Sequence, residues 1–356
     1  MISHHKIGQV IAALGYGISA DYPEKKKIGI IAVLFGCVLV LCVVSLIFGA
    51  YSITIPVIFQ TVFVHLTMGD LSSIPKLQDT IIWDIRLPRL ILSIAVGGAL
   101  AISGAVFQSV FRNPLVEPYI LGVSSGAAFG AALGIVFHSI FFSIQLFAFI
   151  FATLAVVLAY GLARIRGQTP VVTLILAGVI VGSIFSALVS LLKYMANDQA
   201  LREIVFWLMG GFYYASWNDV RLLVPLCILG FFIIWSLSWK LNILSMGDEE
   251  ARTLGVNPEK NKALVIVIAT GITAFSVSLV GIIAWVGLMM PHASRMLLGP
   301  DNRFVIPACF LMGAGYLLVC DTIARTATYA EIPVGIITSL LGAPYLCYLL
   351  RNKGLW

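Results

Sequence analysis

Long apolar runs separated by short polar connections are the feature that most restricts how this chain folds. Ten such runs follow one another along the sequence, and a helix needs about 20 predominantly apolar residues to cross a bilayer. The predicted spans are residues 28–50, 87–110, 118–137, 140–163, 171–194, 219–239, 261–280, 281–297, 304–324 and 334–350. The break between the seventh and eighth spans, from Ser278 to Gly281, is weak. The chain is therefore predicted to be an all-α polytopic membrane protein.

The composition leaves no room for a soluble domain. Of the 356 residues, 60% are hydrophobic and 11% are charged, and no polar stretch is long enough to build a core of its own. We expect one transmembrane domain over residues 28–356. Residues 1–27 should form a cytoplasmic segment, with a mildly apolar part suited to the inner membrane surface.

The distribution of basic residues predicts the orientation. Lys25, Lys26 and Lys27 precede the first span and should hold the N-terminus in the cytoplasm. Ten spans then return the C-terminus to the same side, and this topology leaves about two thirds of the 22 Lys and Arg residues inside. A net charge of +6 does not indicate nucleic-acid binding, because the basic residues lie at the membrane edges.

The six cysteines lie in or near apolar runs and include no CxxC pair. They are predicted to be small buried side chains, without a disulfide framework or a metal site. No cofactor of the chain's own is expected.

A polar stretch, Met246 to Lys260, interrupts the apolar sequence and has the pattern of a short helix. Asp248, Glu249 and Glu250 suit the first turn, where the helix dipole favours acids, and Gly255 stands where a helix would stop. A solvated loop is one interpretation. A docking element for a cytoplasmic partner is the other, and we favour it because a mere connector does not need its own helix.

Arginines mark the opposite membrane face. Arg86 and Arg89 flank Pro88 at the start of the second span, and Asp321 lies one turn before Arg325 near the outer end of the ninth. Such arginines either snorkel to lipid headgroups or receive carboxylates from a soluble partner.

Two further patterns concern helix packing and a gate. A glycine at every fourth position of the third span predicts close approach of a neighbouring helix, at Gly122, Gly126, Gly130 and Gly134. Val171, Val172 and Thr173 begin the fifth span at its inner mouth, where a gate could lie.

Several motifs together resemble a known family. They are Arg86–Arg89, Gly104–Leu115, Pro118–Ala127, Trp207–Gly210, Gly247–Val256, Gly287–His292 and Glu331–Pro344. In this order they are similar to the signature of the FecCD-type permeases, the membrane subunits of ABC importers for iron-siderophores, haem and vitamin B12. The resemblance runs from about residue 50 to the C-terminus and excludes the first 27 residues.

The resemblance implies the permease fold of a type II ABC importer, like that of the vitamin B12 importer. A homodimer would enclose the path, with two ATPase subunits beneath and a solute-binding protein outside. A coupling loop, residues 240–262, would dock the ATPase through Gly247, Asp248, Glu249, Glu250, Ala251, Arg252, Leu254 and Gly255. The binding protein's glutamates would meet Arg86, Arg89 and Arg325. Val171 and Val172 fall near the family's inner gate, where a vitamin B12 importer has hydroxyl residues.

The energy source separates the remaining functions. The chain has no GxxxxGK[ST] loop, so ATP and Mg²⁺ would be held by the partner. A secondary carrier usually needs an ionisable site near the midplane, and the predicted spans carry almost no charge away from their ends. An intramembrane enzyme would need a paired-carboxylate or nucleophile–base set, which is absent from these spans. We expect import of a metal chelate, with a small oxyanion such as molybdate as the alternative.

Overall fold

The computed structural model describes residues 22–49, 51, 53–70, 74–137, 143–328 and 330–353. Its helices are α1 (Glu24–Ile47), α2 (Ile55–Thr67), α3 (Lys76–Asp79), α4 (Leu87–Phe111), α5 (Val123–Phe137), α6 (Ile144–Ala163), α7 (Val171–Met195), α8 (Asp198–Met209), α9 (Trp217–Ser236), α10 (Ser238–Leu244), α11 (Asp248–Thr253), α12 (Pro258–Val280), α13 (Val286–Leu298), α14 (Asn302–Thr326) and α15 (Val334–Lys353). A π-helical segment, Thr80–Arg86, joins α3 to α4, and a 3₁₀ turn, Pro118–Leu121, precedes α5.

The all-α fold predicted from the apolar runs is confirmed. Within the described ranges there is no β-strand, only an isolated antiparallel bridge between Ile165 and Gln168. In the same ranges, 7 helical segments are long and apolar enough to cross a membrane. The other three predicted spans correspond to α5, α13 and α15, which are not among these 7 segments.

Some boundaries differ from the predicted ones. The seventh span ends as expected, because Gly281 has a positive φ of +74° and closes α12. The next helix starts five residues later, at Val286. Ahead of the second span, the connection that follows α1 contains α2, and the segment from Lys76 continues without interruption into α4. Most of the predicted N-terminal segment, residues 1–21, lies outside the described residues.

Helix α4 forms the centre of the bundle. Of the 18 most apolar consecutive residues in the segment Lys76–Phe111, 89% are buried inside the protein. Helix α4 packs against α9, α12, α13 and α14. Small residues allow this crowding: a Cβ at Gly97 would overlap the backbone of Gly313 in α14, and one at Gly104 would overlap that of Gly287 in α13. By contrast, α1 packs mainly on α14, and only 11% of its 18 most apolar consecutive residues are buried inside the protein.

The predicted glycine ladder lies between α5, α6 and α7. A Cβ at Gly126 or Gly130 would overlap backbone atoms of α6, and Gly134 faces Ile144 of the same helix. Gly122 differs from the other three, because it precedes α5 in a turn with φ of +81° and faces Gly182 of α7. The helix thus begins after the first glycine of the ladder, where the left-handed backbone favours that residue.

Candidate coupling and docking sites

The polar stretch folds into the short helix α11, with a glycine at each end. Gly247 precedes it with φ of +143°, and a Cβ there would overlap the carboxylate of Glu250. At the other end the Gly255 N–H donates to Arg252 O and the Val256 N–H donates to Ala251 O, at 3.0 and 2.9 Å. This pair of bonds, with φ of +78° at Gly255, is the Schellman motif that ends many helices. The sequence pattern therefore produces a separate helix.

The residues of this segment divide into two faces. Ala251 is fully buried and Val256 is 7% exposed, so they hold α11 against the bundle. Gly247 is also buried, whereas Gly255 is exposed. The other exposed residues form a charged face with one apolar member: Glu249, Glu250, Arg252, Thr253 and Leu254.

Asp248 has a different role from the other acids of α11. Its carboxylate accepts a hydrogen bond of 2.5 Å from the Lys262 ammonium, and Lys262 is only 2% exposed. This ion pair fixes the first turn of α11 to the first turns of α12. Sequence reasoning did not single out Lys262, because a lysine after a polar loop ordinarily extends into solvent.

Helix α11 lies at the C-terminal end of α4, since a Cβ at Gly247 would lie 3.4 Å from the Arg112 guanidinium just beyond Phe111. The arginine cluster, which consists of Arg86, Arg89 and Arg325, lies at the start of α4 and the end of α14. The 25 residues of α4 place roughly 37 Å between these two ends.

Arg89 lies in the interior of the cluster and has two carboxylate partners. Its Nε donates to Asp321 Oδ1 at 2.9 Å and its Nη1 donates to Glu331 Oε2 at 2.7 Å. Arg89 is 6% exposed and Asp321 is 1% exposed, whereas the Glu331 side chain is 39% exposed. Through these two carboxylates, Arg89 ties α4 to α14 and to the loop before α15.

Arg86 and Arg325 hold the end of α1. The Arg86 guanidinium donates to Ile47 O at 3.3 Å and to Tyr51 O. Arg325 donates to Ser45 Oγ at 2.8 Å and to Ser45 O. These bonds attach the C-terminal end of α1 to the start of α4 and to α14, the helix on which α1 mainly packs.

The structure thus places the three arginines inside rather than on the outer surface. The pairing of Asp321 with Arg325 is present at 3.6 Å, but Asp321 binds Arg89 more closely. The pairing of Glu331 with Arg89 was not predicted from the sequence. Glu331 lies beside Tyr213, whose hydroxyl donates to Glu331 O at 3.4 Å, and burial together with this neighbouring negative charge raises the pKa of Tyr213 to about 12.

At the start of α7, the predicted gate residues face in different directions. Val172 is 68% exposed, and Val171 is partly buried. The Thr173 hydroxyl donates to Pro170 O at 2.8 Å and to Ala163 O at 3.3 Å. Thr173 therefore stabilises the helix start, and Val172 presents the apolar surface.

Among the described residues, no group of three or more His, Cys, Asp and Glu side chains is arranged to hold a metal ion. The described cysteines are all free thiols. Cys227, Cys309 and Cys320 are buried as predicted, whereas Cys37 and Cys347 are exposed, so the predicted burial is wrong for these two.

Residues 37–352 match the model of the FecCD transport family. The molybdate import system permease protein MolB of Haemophilus influenzae is 41% identical over 330 residues, which cover 91% of this chain and 97% of that protein. The cobalamin import system permease protein BtuC of Halobacterium salinarum is 42% identical over 281 residues, covering 79% of this chain and 76% of that protein. A solved transporter of metal-chelate type, in an inward-facing conformation, superposes with a TM-score of 0.82 at 37% identity, covering 91% of this chain and 99% of that chain.

The helical fold and these similarities define a class: the membrane-spanning permease of a type II ABC importer, a multi-pass protein of the cell membrane. The chain belongs to the FecCD transport family. Permeases of this class act together with an ATPase and a binding protein, so the two charged ends of the bundle are the places to look for partner contacts.

Proposed function

We propose that this chain forms a homodimer that imports a metal chelate, with an ATPase subunit beneath each copy and a solute-binding protein outside. The observation that carries this proposal is α11, a separate helix whose charged face is exposed at one end of an otherwise apolar bundle. Both termini lie in the cytoplasm, as the distribution of basic residues predicts.

The exposed face of α11 is suited to a groove on a soluble subunit. Glu249, Glu250 and Arg252 are exposed, and Leu254 is 41% exposed beside them. Charged side chains provide orientation and specificity, and an exposed leucine provides apolar contact. ATP and Mg²⁺ are held by this partner, and the permease itself catalyses no reaction.

The exposed face of α7 supports a second copy of the chain across the path. Val172, Leu176, Val179, Ile180 and Ile184 are between 54% and 68% exposed. An apolar lining binds a transported ligand weakly, and the binding protein then selects the substrate. The remaining apolar surface, including most of α1, faces lipid.

The binding protein docks at the arginine cluster. Carboxylates pair well with arginine, and Arg86, Arg89 and Arg325 lie together at the end opposite to α11. Arg86 and Arg89 are 5% and 6% exposed, and the Arg325 side chain is 9% exposed. Docking therefore requires the three arginines to leave their internal acceptors. The exposed Glu331 would release Arg89 first.

Iron-siderophore, haem or cobalamin is the proposed substrate class, on the basis of family membership. Molybdate or tungstate is the second candidate. The similarity to MolB over 97% of that protein favours it, and so do the exposed hydroxyl groups of α7 at Ser183, Ser186 and Ser190, which could accompany a hydrated anion.

The test is ATP hydrolysis by the permease reconstituted in nanodiscs with its ATPase. The cognate binding protein is added after loading with haem, ferric siderophore, cobalamin or molybdate in turn. Stimulation by one loaded form would support the importer and name its substrate. A complex that never assembles, with uptake that follows an ion gradient, would overturn the proposal.

A further inference from the structure

Thr169 and Glu259 form a contact between the coupling segment and the inner end of α7. The Thr169 hydroxyl donates to Glu259 Oε2 at 2.6 Å and lies 3.4 Å from the Tyr160 hydroxyl. Thr169 is 2% exposed. It lies in the connection between α6 and α7, whereas Glu259 is the second residue of α12, 90 positions further along the chain. The bond thus joins two inner segments that are distant in sequence.

On one side of this bond, hydrogen bonds tie α11 to the start of α12. The buried Lys262 binds Asp248 at 2.5 Å, and the Ala251 carbonyl accepts the Val256 N–H. Only Asn257 separates Val256 from α12, and its side chain caps that helix by accepting the Lys260 N–H at 3.1 Å. A displacement of α11 therefore carries Glu259 with it.

On the other side, the connection between α6 and α7 is short and stiff. Arg166 and Gly167 have φ of +50° and +81° between the bridged residues Ile165 and Gln168. Two consecutive positive φ values are typical of a tight type I′ turn. Because Thr173 then bonds to Pro170 O, a pull on Thr169 is transmitted to the start of α7, where Val171 and Val172 lie.

We infer that the Glu259–Thr169 hydrogen bond transmits the ATP-driven movement of α11 to the inner end of α7. Thr169 and Glu259 are positioning residues in this role, because neither contacts substrate or nucleotide. The inference rests on the proposed function and adds the connection between its motor and its gate. A purely architectural bond would stabilise the fold without any effect on the ratio of transport to hydrolysis.

The experiment compares wild type with Thr169→Val, which removes the hydroxyl at constant shape, and Thr169→Ser, which retains it. Each permease is reconstituted with its ATPase and loaded binding protein, and uptake and ATP hydrolysis are measured in the same vesicles. Thr153→Val is the matched control. Its hydroxyl donates only within α6, to Phe149 O at 2.9 Å.

We expect Thr169→Val to lower the uptake per ATP about tenfold, as the loss of a hydrogen bond to a charged group would allow, with hydrolysis and Tm close to wild type. Thr169→Ser should restore the ratio, and Thr153→Val should not change it. An unchanged ratio in Thr169→Val, or a loss of uptake and hydrolysis in proportion to a lower Tm, would overturn the inference. Failure of the proposed function is distinguishable, since wild type itself would then show no ATP-dependent uptake.

Discussion

The two charged ends of this bundle are built in opposite ways. At the arginine cluster, the charges point inwards: Arg89 and Asp321 are 6% and 1% exposed and bind each other. At α11, one acid is used internally, by Lys262, and the adjacent Glu249, Glu250 and Arg252 are exposed. The end with the arginine cluster therefore uses its charge to hold helices together, whereas the end with α11 leaves three charged side chains exposed.

This difference shows that charge at a membrane edge has two possible uses that composition does not separate. A buried ion pair is expensive to break, because the remaining charge has lost its partner in a medium of low dielectric constant. An exposed charge contributes little to stability, since water screens it. Substitutions at the two ends should therefore affect different properties.

The largest expected effect is on stability, at the arginine cluster. Asp321→Asn leaves the buried Arg89 with only the partly exposed Glu331 as an acidic partner. Removing one member of a buried pair costs about 3–5 kcal/mol, so the thermal unfolding of the solubilised permease should shift to clearly lower temperature. Glu331→Gln is the control and should shift it much less. Equal, small shifts in both variants would contradict an internal role for the Asp321–Arg89 pair.

A smaller effect is expected from Arg325→Gln, which tests whether the same end also binds a partner. The substitution removes the bonds to Ser45 and a positive charge. If carboxylates of the binding protein reach the cluster, its affinity should fall more at low salt than at high salt, because screening weakens exposed charge pairs. If the affinity for the binding protein is unchanged at low and at high salt while Tm falls, the arginines hold α1 in place and do not bind the partner.

The smallest expected effect concerns the pH dependence of stability at Asp301, just before α14. Although burial alone raises it, hydrogen bonds from Arg303 and Asn242 hold the pKa of Asp301 below its usual value. Because the folded-state pKa is depressed, the stabilisation is present above about pH 4, the unfolded value, and is lost as the pH falls through the folded pKa. Asp301→Asn retains a helix-capping side chain and should flatten this dependence. Identical profiles of stability against pH for wild type and Asp301→Asn would contradict this role of Asp301.

The overall architecture could be predicted from the sequence because bilayer thickness dictates the length of each apolar run. The limits of α11 were also predictable, since Asp248, Glu249 and Glu250 are acids suited to a first turn and Gly255 is suited to a helix end. The break at Gly281 was weaker, and the start of the next helix at Val286 was not predicted. Nothing in the local sequence shows that Ile282 to Trp285 stays non-helical.

Side-chain partners were the least predictable feature. Arg89 and Glu331 are 242 positions apart, and Thr169 meets Glu259 only because α6, α7 and α12 assemble at one end. An arginine near a span end has the same sequence pattern whether it faces solvent or an interior carboxylate. The tertiary fold decides between them, and so the direction of the arginine cluster could not be read from its motif.

The measurement that most directly tests the contrast is uptake by the triple variant Glu249→Ala, Glu250→Ala and Arg252→Ala. It is compared with Lys260→Ala, an exposed charge just outside α11. We expect the triple variant to keep its Tm and to lose ATP-dependent transport and stable association with the ATPase, whereas Lys260→Ala keeps both. Normal transport and ATPase association in the triple variant would contradict the coupling role of α11.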